Sequence, residues 1–264
     1  MLAELTNISP ETLILGLEQT AAAVALCAVV VFLCLRAGVD VRREAVLSAL
    51  RGFVQMVAVG AVLVILLHGS LLIGAGILFA MVLAAAATAS RRNKGASGAF
   101  LACVYAIGVG AGTVLVVMLL TRALSADVAV LVPVGSMIIA NAMNACAQAM
   151  ERLRADITGH VGEVEAALSL GATPAVAVRP YVNSAVYASL LPRLDMLKSL
   201  GLVWIPGVMA GMMVSGANPI YAGIYQFVIV AMILAASGIT GLIATLLTRR
   251  AAFSFADQLL MRRA

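Results

Sequence analysis

Of 264 residues, 63% are apolar and 11% charged, and the mean hydropathy is +1.10, against roughly 45–50% apolar and about 25% charged in soluble domains. That balance excludes an ordinary soluble enzyme and a disordered chain, and the apolar residues fall into runs of the ~20 residues needed to cross a bilayer. The net charge of +5, from 17 Lys and Arg against 12 Asp and Glu, is therefore read first as a topology signal and not as a nucleic-acid patch.

Apolar runs bounded by charge, Gly or Pro predict spans at 13–35, 51–68, 71–89, 98–120, 128–149, 200–217 and 223–247. Before the first run stand Glu4 and Glu11 and no basic residue, so the cationic region of a cleavable signal peptide is missing and the span is expected to be retained. Seven spans put the termini on opposite sides. Arg36, Arg42, Arg43 and Arg51 mark the first joint, and Arg91, Arg92 and Lys94 follow the third span. Arg152, Arg154, Arg179, Arg193 and Lys198 follow the fifth, and Arg249, Arg250, Arg262 and Arg263 close the chain. Only Arg122 falls opposite, so 16 of 17 bases gather on one side, which the positive-inside rule assigns to the cytoplasm. The expected fold is an all-α integral membrane protein, a single transmembrane domain over residues 1–264, N-terminus outside and C-terminus cytoplasmic.

In the second span Gln55 lies one turn from Arg51, whose guanidinium can snorkel to the surface. Gly108 and Gly112 give the fourth span a small face. In the fifth, Asn141, Asn144 and Gln148 stand at i, i+3 and i+7, continued by Met137 and Pro133. Polar groups at membrane depth are costly unless they face protein or water, so this stripe either bridges helices or lines a translocation path, to which Gln55 can add.

Residues 151–199 form the one sizeable segment predicted outside the membrane, too short for a catalytic domain. Glu163 to Leu170 reads as a short helix with Val164, Ala167 and Leu168 on one face; Gly171 caps it, and Thr173 with Pro174 opens the next. A short helix with one apolar face suits docking in a partner's groove; an ordinary surface loop is the other reading. The stretch 174–192 is apolar but interrupted by Arg179, Pro180 and Asn183, and a crossing there would move the last four arginines outside, so it is expected to lie on the inner surface.

The sixth span carries Pro206 and Gly207, which predict a kink that either moves or stays static. Gly207, Gly211 and Ser215 form a small face. Met209, Met212 and Met213 cluster there and either fill gaps or line the path. Cys27, Cys34, Cys103 and Cys146 sit in apolar runs with no CxxC pair and read as small buried hydrophobes. The two histidines, His68 and His160, lie near surfaces, so no metal site is predicted. A Walker A loop needs a Gly-rich turn ending in Lys-Ser or Lys-Thr. Lys94 precedes Gly95, and Lys198-Ser199 follows Asp195-Met196-Leu197. The chain is thus expected to be no enzyme and to bind no cofactor of its own; energy comes from another polypeptide or an ion gradient.

The string EAALSLG at 165–171 resembles the EAA-x3-G loop of ABC importer permeases, although the I-x-L-P expected after the glycine is missing and its nearest echo is Leu190-Leu191-Pro192. The whole chain is more similar to the FetB-type (UPF0014) ABC transporter permease family, iron-export permeases with relatives in plant aluminium tolerance. The similarity runs through Leu50-Arg51, Gln55, Gly135, Asn141-Ala142-Met143, SLGATP at 169–174, LLP at 190–192, GLVWIPGVMAGMMVSGANP at 201–219 and Tyr225-Gln226. The resemblance implies a permease in a bacterial plasma membrane, exporting a metal such as iron. It further implies a two-plus-two complex of a permease homodimer with separate ATPase subunits that bind ATP and Mg. Coupling to the ATPase would fall to Glu163, Glu165, Ala166, Ala167, Leu168, Gly171, Ala172 and Thr173. A path would run past Gln55, Met137, Asn141, Asn144, Gln148, Met209 and Met212, with Pro206, Gly207 and Gly211 as hinge. The alternatives are an ion-gradient-driven secondary transporter and an ABC permease for a non-metal solute.

Overall fold

The computed structural model describes residues 10–66, 70–93, 98–254 and 256–261, which are helical apart from turns and isolated bridges. His68, Lys94, Arg262 and Arg263 lie outside the described residues.

The chain divides into two compact units, residues 1–70 and 71–264. The first holds α1 (Pro10–Arg36) and α2 (Arg42–Leu66), a hairpin whose turn is tied by Asp40 accepting from Arg42 Nε at 3.3 Å. Its large apolar side chains are exposed along both helices, a surface suited to lipid. Thr20, Cys27, Phe32, Leu50 and Phe53 line an apolar groove of about 620 Å³ between them. Here the structure departs from expectation: within this hairpin Cys27 is exposed and Cys34 half-exposed, because two helices alone cannot enclose them.

The second unit is built from α3 (Leu71–Arg92), α4 (Ala99–Leu120), α5 (Val128–Gly159), α6 (Val161–Ser169), α7 (Pro174–Ala177), α8 (Arg179–Ser199), α9 (Gly207–Val214) and α10 (Pro219–Ala251). Helices α5 and α10 form its centre, flanked by α3, α4 and α8. At 32 and 33 residues each extends ~48 Å, well beyond a ~30 Å hydrocarbon layer. Close approach comes from Gly110: a Cβ there would stand 3.0 Å from both Ala236 O and Thr240 N, so α4 meets the α10 backbone directly. Gly108, by contrast, has only Val82 within 4 Å, and Gly112 has nothing. The closest approach of the fourth span is thus made at Gly110, between the two glycines of its predicted small face, which among the described residues meet only Val82 of α3. Cys103 and Cys146 are fully buried as expected, their sulfurs 3.6 Å apart and each within 3.8 Å of Met150 Sδ.

Five described helices, α1 (from Ile14), α3, α4, α5 and α10, are long and apolar enough to cross a bilayer. They coincide with the first, third, fourth, fifth and seventh predicted spans, and α2 overlaps the second.

The sixth span and the segment before it differ from expectation. The stretch 174–192, expected at the inner surface, belongs for the most part to α8, 21 residues long, which packs on α5 and α10. Val178 clusters with Leu153, Ile157 and Ala252, Ser189 lies against Gly241, Leu190 against Gly238, and Met209 of α9 against Gly223. Helix α8, the non-helical residues 200–206 and α9 therefore run together along α10, from its C-terminal end to its N-terminal end. What stands at 200–217 is not one kinked helix but a linker and an eight-residue helix. The linker is closed by Gly201 N donating to Trp204 O at 3.0 Å.

Candidate functional site

Two places collect the residues singled out by sequence. One is the end of the bundle where α6 projects. Helix α5 continues to Gly159, and α6 follows after His160. Val164, fully buried, joins Leu153, Ile157, Val178, Ala185, Ala252 and Leu259, with Val161 and Leu168 packed at the margin. The apolar face predicted to enter a partner's groove is thus turned onto this chain's own bundle. The opposite edge faces outward: Glu163, Glu165, Ala166, Ser169 and Leu170 are exposed, Leu170 by 89%.

This short helix is held at both ends. Glu163 Oε2 accepts from the Tyr181 hydroxyl at 2.9 Å, and the Tyr181 ring stacks on His160 with centroids 5.1 Å apart. The C-terminus closes as expected: Gly171 takes φ +87°, and Ala172 N donates to Ala167 O at 3.0 Å, a left-handed cap that a residue with a Cβ adopts only under strain. Thr173 is the N-cap of α7 and Pro174 its first residue; the Thr173 carbonyl, not its side chain, takes the cap bonds, from Val176 N and Ala177 N.

The second place is the face of α5 that bears the amides. Met137, Asn141, Asn144 and Gln148 are all half-buried. Asn141 Nδ2 donates to Met137 O at 2.9 Å, one turn back. Against this stripe α8 sets a residue that spacing did not single out. Arg193, only 5% exposed, donates from Nη1 to Gln148 Oε1 at 3.3 Å and from Nη2 to Asn141 O at 3.0 Å. By sequence it counts among the cations of the 151–199 segment; the missed signal is its place at i+4 from Ser189 and i+8 from Ala185, the buried stripe of α8.

The remaining predicted residues are scattered. Gln55 belongs to the α1–α2 unit, where it is exposed. Met209 and Met212 are half-buried on α9, and Met209 covers Gly223. Pro206 is buried as the N-cap of α9, while no atom lies within 4 Å of where a Cβ would stand on Gly207 or Gly211. Among the described residues of this unit nothing packs on their small face. Among the described residues no three His, Cys, Asp or Glu side chains gather as metal ligands.

Comparison with known proteins gives one consistent result. The model of an uncharacterised protein family, UPF0014, matches residues 17–253. The probable iron export permease protein FetB of Escherichia coli (strain K12) is 30% identical, over 92% of this chain and 95% of that protein. Protein ALUMINUM SENSITIVE 3 of Arabidopsis thaliana is 31% identical over 92% and 90%, and the UPF0014 membrane protein STAR2 of Oryza sativa subsp. japonica is 30% identical over 93% and 87%. No solved structure matches.

Proposed function

The chain belongs to the UPF0014 family and is a multi-pass membrane protein, and from that premise we propose that it is the permease subunit of an ABC-type exporter driven by a separate ATPase. The observation that carries the reading is α6. It is a nine-residue helix clamped by Val164, Tyr181 and the Gly171 cap, with an outward edge that ends in the exposed Leu170. A helix so fixed transmits a push to α5 and α8 instead of absorbing it. Seven crossings, the sixth made of α8, the linker and α9, then put α6 and the C-terminus in the cytoplasm of a bacterial cell and the N-terminus outside. No Walker A sequence is present in the chain, so ATP and Mg belong to the partner.

The path follows the amide stripe, Asn141, Asn144 and Gln148, with Met137, Met209 and Met212 nearer the outer side. The linker around Pro206, with Gly207 and Gly211, is its moving part. The unpacked glycine face of α9 is where a second permease copy closes the complex, because small residues let backbones meet where lipid gives no hydrophobic drive. Iron is the proposed metal because the relative from Escherichia coli is named as an iron export permease.

Reconstitution with the cognate ATPase tests the coupling. Leu170→Asp removes the apolar tip while touching nothing inside the bundle. It is expected to bring permease-stimulated ATP hydrolysis down toward the unstimulated rate, with the amount of protein in the membrane unchanged. Undiminished stimulation contradicts α6 as the contact.

A further inference from the structure

Arg193 is the one charged side chain that the described residues bury. A guanidinium offers five N–H donors and keeps its charge at any physiological pH. Here Nη1 and Nη2 find one acceptor each, Gln148 Oε1 and Asn141 O, both neutral. The Nε atom is buried without a partner. The nearest acid in sequence, Asp195, is exposed and paired to Lys198 at 3.2 Å, and among the described residues no carboxylate stands within ion-pair distance of Arg193. A cation removed from water is costly unless an opposite charge meets it, and such residues inside membrane bundles mark functional paths. Tethering α8 to α5 would need only a neutral donor. The charge itself is left unanswered by the described residues.

Resting on the permease reading above and deepening it, we propose that Arg193, together with Gln148 and Asn144 on the half-buried face of α5, is an anion-recognition site. The cargo meets it through a negatively charged oxygen group, a carboxylate or a phosphate. The fork of the guanidinium suits such a group, since two parallel N–H donors match two oxygens. The same charge disfavours a bare divalent cation, which a site of low dielectric and positive sign repels. A metal therefore passes here only as a complex whose chelator turns its oxygens to Arg193, unless the anion itself is the cargo.

The test is equilibrium binding to the full chain in lipid nanodiscs with four probes: citrate, ferric citrate, inorganic phosphate and Fe2+. Wild type is expected to bind at least one of the three anions and to bind Fe2+ more weakly. Ferric citrate bound more tightly than citrate identifies a chelated metal; citrate or phosphate bound as tightly identifies the anion itself. Arg193→Gln should weaken anion binding at least about tenfold, and Arg193→Lys by less. The decisive variant is Gln148→Glu, which puts a carboxylate where Nη1 now donates over 3.3 Å. It should keep or raise the melting temperature by pairing Arg193 internally, yet weaken the anion about tenfold. A tether without a ligand role predicts no loss. Unchanged binding in Gln148→Glu, or a wild-type chain that binds none of the three anions, overturns the proposal. Because no ATPase is present, that failure leaves coupling through α6 standing, and a failure of coupling leaves this result untouched.

Discussion

At position 110 there is no room for a single methyl group. A Cβ on Gly110 would overlap the Thr240 hydroxyl and stand 3.0 Å from the Ala236 carbonyl oxygen and the Thr240 amide. The hydroxyl can rotate, but the two backbone atoms cannot yield without moving α10. Gly110→Ala should therefore destabilise the bundle by about 1–3 kcal/mol, the usual cost of overpacking, read as a melting temperature several degrees lower in detergent. Gly112→Ala, on a face with nothing within 4 Å, should leave it unchanged. The pair also shows what spacing resolves. The Gly108–Gly112 repeat marked a small face, but which small residue points at a neighbour depends on how the helix is rotated, and that is decided by the partner helix. Arg193 escaped notice for a related reason: in sequence it sits among Arg179, Asp195 and Lys198, and only the packing of α8 separates a buried cation from exposed ones.

The element least legible in the sequence is the run of α8, the linker and α9 along α10. Arg179, Pro180 and Asn183 resembled breaks, yet all three are exposed in the first turns of α8, where proline costs no hydrogen bond. What holds α8 in the bundle is the buried line Ala185, Ser189 and Arg193, a stripe with too few large apolar residues to register as a span. Non-helical backbone is tolerated at membrane depth only against protein or water, and the linker, which the proposed topology puts at that depth, leaves Leu202 and Val203 87% and 86% exposed. That supports a second copy or a wet path beside it. Gly211→Leu, which enters open space within one chain, should fold and insert normally but move the purified permease from dimer to monomer in light scattering. A dimer of unchanged mass would remove α9 from the interface. The α6 cap was legible to the residue, since Gly171, Thr173 and Pro174 act through local backbone geometry. The direction of its apolar face was not, because Val164 answers to Leu153, Ile157 and Ala252 far along the chain.

For the molecule as a whole, orientation decides whether α6 can meet an ATPase at all. A cysteine at Ser125, exposed before α5, should react with a membrane-impermeant maleimide in intact cells, and one at Ser169, exposed on α6, only after permeabilisation. The reverse pattern would turn α6 to the exterior. On the proposed function, this chain forms the passage and draws its energy from a partner. Proteoliposomes carrying the permease with and without its ATPase test it most directly, with ATP present and all ion gradients collapsed by ionophores. Uphill movement of the metal complex is expected only when both subunits and hydrolysable ATP are present. Uphill movement by the permease alone, driven by an imposed proton or sodium gradient, would contradict it.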